Sequence, residues 1–122
     1  MRRRLRLFIE DILESIKLIE KYLGDISKEN FDNNQKLKDS VVRRLEIIGE
    51  AVKNIPDSFR KKYPEVPWRK IAGLRDIITH TYFNIDLDIT WDIIKKDIPD
   101  LKEKMLIIKS ELDAEEKVKQ EG

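Results

Sequence analysis

The chain has 122 residues, with 25 basic and 24 acidic side chains, 40% hydrophobic and 7% aromatic residues, four glycines and four prolines. That length suits one domain rather than separate cofactor and substrate halves, and the composition is that of a soluble helical chain, not a collagenous, disordered or turn-rich β protein. The absence of cysteine excludes a disulfide framework, a thiolate metal cluster and a Cys nucleophile, and the single histidine, His80, excludes a histidine-rich metal site within one chain. The longest apolar runs, such as Leu106 to Ile108, fall far short of the ~18–20 residues of a spanning helix. Met1 to Arg4 lacks the apolar stretch of a secretory signal, so the expectation is a cytoplasmic protein without a membrane partner.

Leu5, Phe8, Ile12, Ile16, Ile19 and Leu23 recur at three- and four-residue intervals, the spacing of one apolar helix face, and predict a first helix over about 3–23 that Gly24 stops. A polar connection from Ser27 to Asn34 leads to Leu37, Val41, Leu45, Ile48, Val52 and Ile55, a second long helix that ends at Pro56. Val42, Ile47 and Ala51 widen its apolar surface, which suggests a central helix or one that meets a second partner. Gly49 lowers helix propensity by ~1 kcal/mol relative to Ala and points to the close approach of another helix.

Between Pro56 and Pro67 one short helical turn and an irregular corner are expected. Pro67 suits a first helical position, with Trp68, Ile71, Ala72, Ile78 and Tyr82 on one broad face of a third helix. Trp68 reads as an anchor of the bundle. Asp86 or Asp88 is a plausible cap for a helix carrying Ile89, Trp91, Ile94 and Ile98, which Pro99 should break or kink. A last helix carries Leu101, Met105, Ile108 and Leu112. The expected organisation is one all-α domain over 1–112, a bundle of four or five helices, with a charged, frayed tail over 113–122.

The formal net charge of +1 is that of no polycation, but the charges are unevenly placed. Residues 1–52 carry 11 basic and 10 acidic side chains, residues 53–75 carry 7 and 2, and residues 76–122 carry 7 and 12. The middle segment, with Lys53, Arg60, Lys61, Lys62, Arg69, Lys70 and Arg75, can present a phosphate-attracting surface, although a solvated helix-and-loop surface would look the same.

The segment unlike ordinary bundle sequence is Leu74-Arg-Asp-Ile-Ile-Thr-His-Thr-Tyr82. On a regular helix Arg75 and Tyr82 share one face, Asp76 and His80 share another, and Arg75 and His80 diverge by ~140°, so these two converge only where the helix ends or distorts. Asp76 could hold one imidazole nitrogen, fixing the tautomer and raising the basicity that proton transfer needs, and Arg75 offers a bidentate fork suited to phosphate. By spacing alone, a helix-end histidine in an ion pair with an aspartate fits equally well.

Val42-Arg-Arg-Leu-Glu-Ile-Ile-Gly-Glu-Ala-Val52, Pro64-Glu-Val-Pro-Trp68, Gly73-Leu-Arg-Asp-Ile-Ile-Thr-His-Thr-Tyr82 and Trp91, in that order and spacing, resemble the HepT-like toxins of the HEPN superfamily over nearly the whole chain. The resemblance implies a homodimeric HEPN helical bundle and a cofactor-free, metal-independent endoribonuclease that uses the Arg and His of an R-x(4–6)-H motif, here Arg75 and His80. The residue after the Arg is frequently Asn in the superfamily and is Asp76 here, which makes it a supporting group. The resemblance also implies a toxin of a type VII-like toxin–antitoxin system whose partner, an MNT-type minimal nucleotidyltransferase antitoxin, attaches AMP to the tyrosine that corresponds to Tyr82. Adenylate there would add bulk and negative charge where substrate phosphate should bind. Candidate RNA contacts are Arg60, Lys61, Lys62, Arg69 and Lys70.

The lone histidine argues for a dimer on chemical grounds. Cleavage by the 2′-hydroxyl wants a base for that proton and an acid for the leaving 5′-oxygen, and one chain offers one imidazole where two chains offer two. The alternative is a non-catalytic helical module that binds a nucleotidyltransferase or positions nucleotide for it.

Overall fold

The computed structural model describes residues 2–78 and 87–121, and every regular element among them is helical. Helix α1 (Arg2–Leu23) is followed by the short α2 (Lys28–Asp32), the long α3 (Gln35–Lys53), the single turn α4 (Asp57–Arg60) and α5 (Trp68–Ala72). Residues 74–78 form α6. Helix α7 (Leu87–Asp92) runs through a π turn (Ile93–Asp97) into α8 (Ile98–Glu121). This is the all-α bundle expected from the sequence.

The core is built from the heptad-like stripes read in the sequence. Ile9, Ile12, Ile16 and Ile19 of α1 meet Val41, Leu45, Ile48 and Val52 of α3 and Leu101, Met105 and Ile108 of α8, all buried. Isoleucine and valine dominate the α1–α3 contact; their stiff χ1 loses little further freedom on burial, so these helices interlock in one arrangement. Helix α8 lies antiparallel to α1, as ion pairs at both ends require: Arg6 binds Asp113 and Glu116, and Lys102 Nζ reaches Glu20 at 3.0 Å. The Arg6 contacts, near the start of α1, draw the residues after Leu112 onto the bundle. Helix α8 continues through Glu121, so residues 113–121 are helical.

The turns follow local chemistry. Gly24 ends α1 with φ of +51°, a left-handed conformation that costs glycine nothing. Ser27 caps α2 and Asn34 caps α3, each accepting from a backbone N–H at 3.1 Å, so the polar connection contains a short helix that buries Phe31. At the other end of α3, Arg60 donates from Nε to the Ile55 carbonyl at 3.0 Å and from Nη2 to the Val52 carbonyl at 2.7 Å. A cation that satisfies terminal carbonyls is favoured by the helix dipole as well as by the bonds themselves. The Trp68 indole N–H donates to the carbonyls of Arg60 and Tyr63, so Trp68 ties the corner between α4 and α5 to the bundle, the anchoring role assigned to it. The Tyr63 hydroxyl donates to Glu111 of α8; burial first, then that hydrogen bond and the charges of Glu111, Glu115 and Glu65, push the phenol up to about 12.

Two proline and glycine signals act differently from expectation. Pro99 neither breaks nor ends the helix. Without an N–H it cannot supply the α-type bond to the Lys95 carbonyl, and its ring crowds that carbonyl; widening the ladder to a π turn over Ile93–Asp97 carries the helix past it. The extra residue in that turn also lets the adjacent Ile93 and Ile94 both be buried. The third helix, expected to run unbroken from Trp68, is divided at Gly73 into α5 and α6.

Gly49 is where α3 meets this divided segment. A Cβ on it would stand 3.3 Å from the Ile71 carbonyl oxygen, 3.6 Å from that of Ala72 and 3.7 Å from Leu74 Cβ. The close approach expected from a glycine in mid-helix is therefore present, and its partner is backbone, which cannot swing away as a side chain can. Gly49→Val should lower the unfolding free energy by about 1–3 kcal/mol in a denaturant titration, the cost of overpacking. A change smaller than measurement error would mean that residues 71–74 yield freely.

Candidate active site around Arg75

The Gly49 contact places α6 against α3, and the next residue along α3 uses that proximity. Leu74 and Ile78 are buried, which turns the intervening Arg75 and Asp76 outward. Arg75 Nη1 lies 3.2 Å from Glu50 Oε1, and Lys53 Nζ lies 4.0 Å from the same oxygen. Arg75 is thus held at the surface between two helices by a carboxylate, with its side chain 58% exposed and that of Glu50 50% exposed. A pair this open to water contributes little to stability. Its effect is positional, since it restricts a long side chain and offsets part of its charge.

His80 and Tyr82, the other two members of the motif, lie outside the described residues. Asp76 is exposed on α6. The elements flanking 79–86 are anchored on both sides. Before it, Ile78 is in the core; after it, Asp88 pairs with Lys28 of α2, and the Trp91 ring stands 5.4 Å from that of Phe31. Lys95, from the π turn, sits 4.8 Å over the Trp91 ring, a cation–π contact.

The five candidate RNA contacts do not form one uniform surface. The Arg60 guanidinium is committed to the carbonyls that end α3. Lys70 pairs with Asp97 of the π turn at 3.2 Å. Lys61, Lys62 and Arg69 are exposed. Glu50 was not singled out by sequence reasoning, and Lys53 was named only as part of the basic middle segment. The available signal was Gly49, because whatever packs on it also meets the side chains one residue and one turn further along α3. Among the described residues no group of three or more His, Cys, Asp or Glu could hold a metal ion, and no helix is long and apolar enough to cross a membrane.

With this arrangement in view, the comparisons with known proteins are specific. Residues 12–108 match the ribonuclease HepT-like family, and the chain belongs to that family. It is 50% identical over 113 residues to a gamma-glutamylcyclotransferase and candidate RNase of Methanocaldococcus jannaschii, an alignment covering 93% of this chain and 51% of that protein, so the chain spans about half the length of that relative. It is also 46% identical over 104 residues to a probable ribonuclease HepT of Thermococcus cleftensis, covering 85% of this chain and 94% of the relative. A candidate RNase of M. jannaschii is 42% identical over 107 residues, covering 88% of this chain and 98% of the relative. No solved structure matches significantly.

The Glu50–Arg75 pair yields a prediction independent of catalysis. Glu50→Gln should change the unfolding free energy by less than about 1 kcal/mol while tightening the binding of a polyanion such as heparin at low salt, with the difference vanishing at high salt. Unchanged polyanion binding at low salt would show that Glu50 does not offset the Arg75 charge.

Proposed function

We propose that this chain is a metal-independent endoribonuclease in which Arg75 and His80 act on the scissile phosphate, within a site completed by a second copy of the chain. The observation that carries the reading is Arg75 itself, an outward guanidinium held between α3 and α6 within an intact R-x4-H-x-Y sequence on a HepT-like chain. Further support comes from the names of the relatives, several of which are described as RNases.

In the proposed reaction one imidazole removes the 2′-hydroxyl proton, the 2′-oxygen attacks phosphorus, and the bond to the 5′-oxygen breaks as that oxygen takes a proton from an acid. The products are a 2′,3′-cyclic phosphate and a free 5′-hydroxyl. Arg75 donates to the non-bridging oxygens, whose negative charge grows in the phosphorane-like transition state, and such preorganised donors contribute most where charge develops. His80 from each of two chains supplies the base and the acid, which requires the motif segments to meet across a twofold axis. Lys61, Lys62, Arg69 and Lys70 contact the RNA backbone, which gives affinity without base selection. Asp76 supports the His80 imidazole.

The same reading includes a toxin–antitoxin role. An MNT-type nucleotidyltransferase partner transfers AMP from ATP to the Tyr82 oxygen, which loses its proton as pyrophosphate leaves, and the added phosphate repels substrate at the site of Arg75. The setting is cytoplasmic.

Purified protein incubated with total cellular RNA in EDTA tests the central part. Cleavage with cyclic phosphate ends, lost by a factor of at least ~10² in His80→Ala without a change in melting temperature, is the expected result. Absence of cleavage by folded, unmodified protein across varied RNAs would favour a helical module that binds a nucleotidyltransferase.

A further inference from the structure

Away from Arg75, the start of α1 and the corner after α3 line a half-open cavity of about 210 Å³. Its apolar walls are Leu5, Phe8, Pro56 and Phe59, and Arg4 and Lys62 stand at it as cations. Phe59 is fixed from behind, since its ring packs 5.2 Å from that of Tyr63, whose hydroxyl is bound in turn to Glu111. Arg4 precedes Phe8 by one turn of α1, which puts the charge and the ring on one face. Among the described residues neither Arg4 nor Lys62 has a carboxylate partner.

Asn54, the C-terminal cap of α3, also lines the cavity and donates from Nδ2 to the Glu50 carbonyl at 2.9 Å. A carboxamide has two N–H donors and an acceptor oxygen, so one donor and the oxygen remain for a ligand. Glu50, whose carboxylate holds Arg75, lies one helical turn before Asn54, about 6 Å along the axis. The cavity and Arg75 are therefore reached from one stretch of α3.

An apolar cavity of roughly 150 Å³ lined by such side chains takes a benzene-sized ring, so this one has room for a heteroaromatic ring. Cations at an apolar slot favour a ring that carries negative charge beside it. We propose that this cavity is a base-binding slot for the RNA substrate, in which an unstacked base of a single-stranded segment enters between Phe8 and Phe59 while Arg4 and Lys62 hold the flanking phosphates. Single-stranded RNA is commonly read in this way, by aromatic stacking with base edges hydrogen-bonded. The assignment rests on the ribonuclease reading and adds to it a source of substrate choice: Asn54 meets the base edge, and the slot fixes which phosphate reaches Arg75.

The test is binding of a short 2′-O-methyl oligoribonucleotide, which lacks the attacking hydroxyl, to the full chain by fluorescence anisotropy. Ser58→Trp fills the cavity from the exposed side of α4 without removing core packing, and Phe8→Ala removes one wall. Each should weaken binding about ten-fold. One abasic position in the oligonucleotide should cost wild type a similar factor and cost Ser58→Trp nothing more. Lys62→Glu should flatten the dependence of affinity on salt.

Equal affinity of wild type and Ser58→Trp, or an abasic penalty that persists in full in Ser58→Trp, would overturn the slot while leaving RNA cleavage by wild type, and so the ribonuclease reading, standing. A free nucleoside monophosphate that binds more tightly than the oligonucleotide would overturn it in favour of a nucleotide ligand. Failure of wild type both to bind the oligonucleotide and to cleave RNA would remove both assignments.

Discussion

The contact between Gly49 of α3 and the backbone of residues 71–74 is the constraint from which the site follows. A residue without Cβ lets the Ile71 carbonyl come this near unstrained, since a Cβ would lie 3.3 Å from its oxygen and force the backbone to shift by a few tenths of an ångström. That approach brings α6 alongside α3, turns Arg75 outward between the buried Leu74 and Ile78, and places it within 3.2 Å of Glu50. The rest of the bundle supports this contact. The isoleucine-rich seam of α1 fixes α3 from behind, Arg60 closes the carbonyl end of α3, and Trp68 holds the corner that delivers α5.

The proposed chemistry and the stability of the bundle are consequently assigned to different kinds of residue. The core uses branched aliphatic side chains that interlock in one way, whereas Arg75, proposed to meet a phosphate, is exposed and paired only loosely. Such pairs contribute little to folding, so they are free to exchange partners when an anion arrives. An arginine with its counter-ion already at hand loses less conformational freedom on binding than one loose in solvent. The same economy holds at the cavity by α1, where Phe59 is braced by Tyr63 and the two cations are left to solvent.

Much of this was legible in the sequence because periodicity and helix punctuation are local. The stripe from Leu5 to Leu23 and the stop at Gly24 defined α1, the repeat from Leu37 to Val52 defined α3, and the mid-helix glycine announced a close neighbour. Less legible were features decided by tertiary geometry. Pro99 was read by its usual rule, but packing of Ile93, Ile94 and Ile98 favours a π turn over a break. The Lys28–Asp32 helix is too short for periodicity to reveal and depends on Ser27 and on burial of Phe31. Arg60 looked like surface charge because no spacing rule connects it with carbonyls five and eight residues earlier. The tail from Asp113 is rich in charge, yet Arg6 draws its first turn onto α1. Arg75 has its partner in Glu50, 25 residues away, a pairing no local pattern encodes.

The proposed reaction requires the single imidazole of each chain to become two at a site shared by two chains. Mixing equal amounts of wild-type and His80→Ala chains under conditions that let subunits exchange, and measuring RNA cleavage against wild type at the same total concentration, tests it directly. With random pairing, a site that needs both histidines retains about a quarter of the activity, contributed by wild-type pairs alone. Retention of about half would mean that each chain acts by itself, and would overturn the shared site.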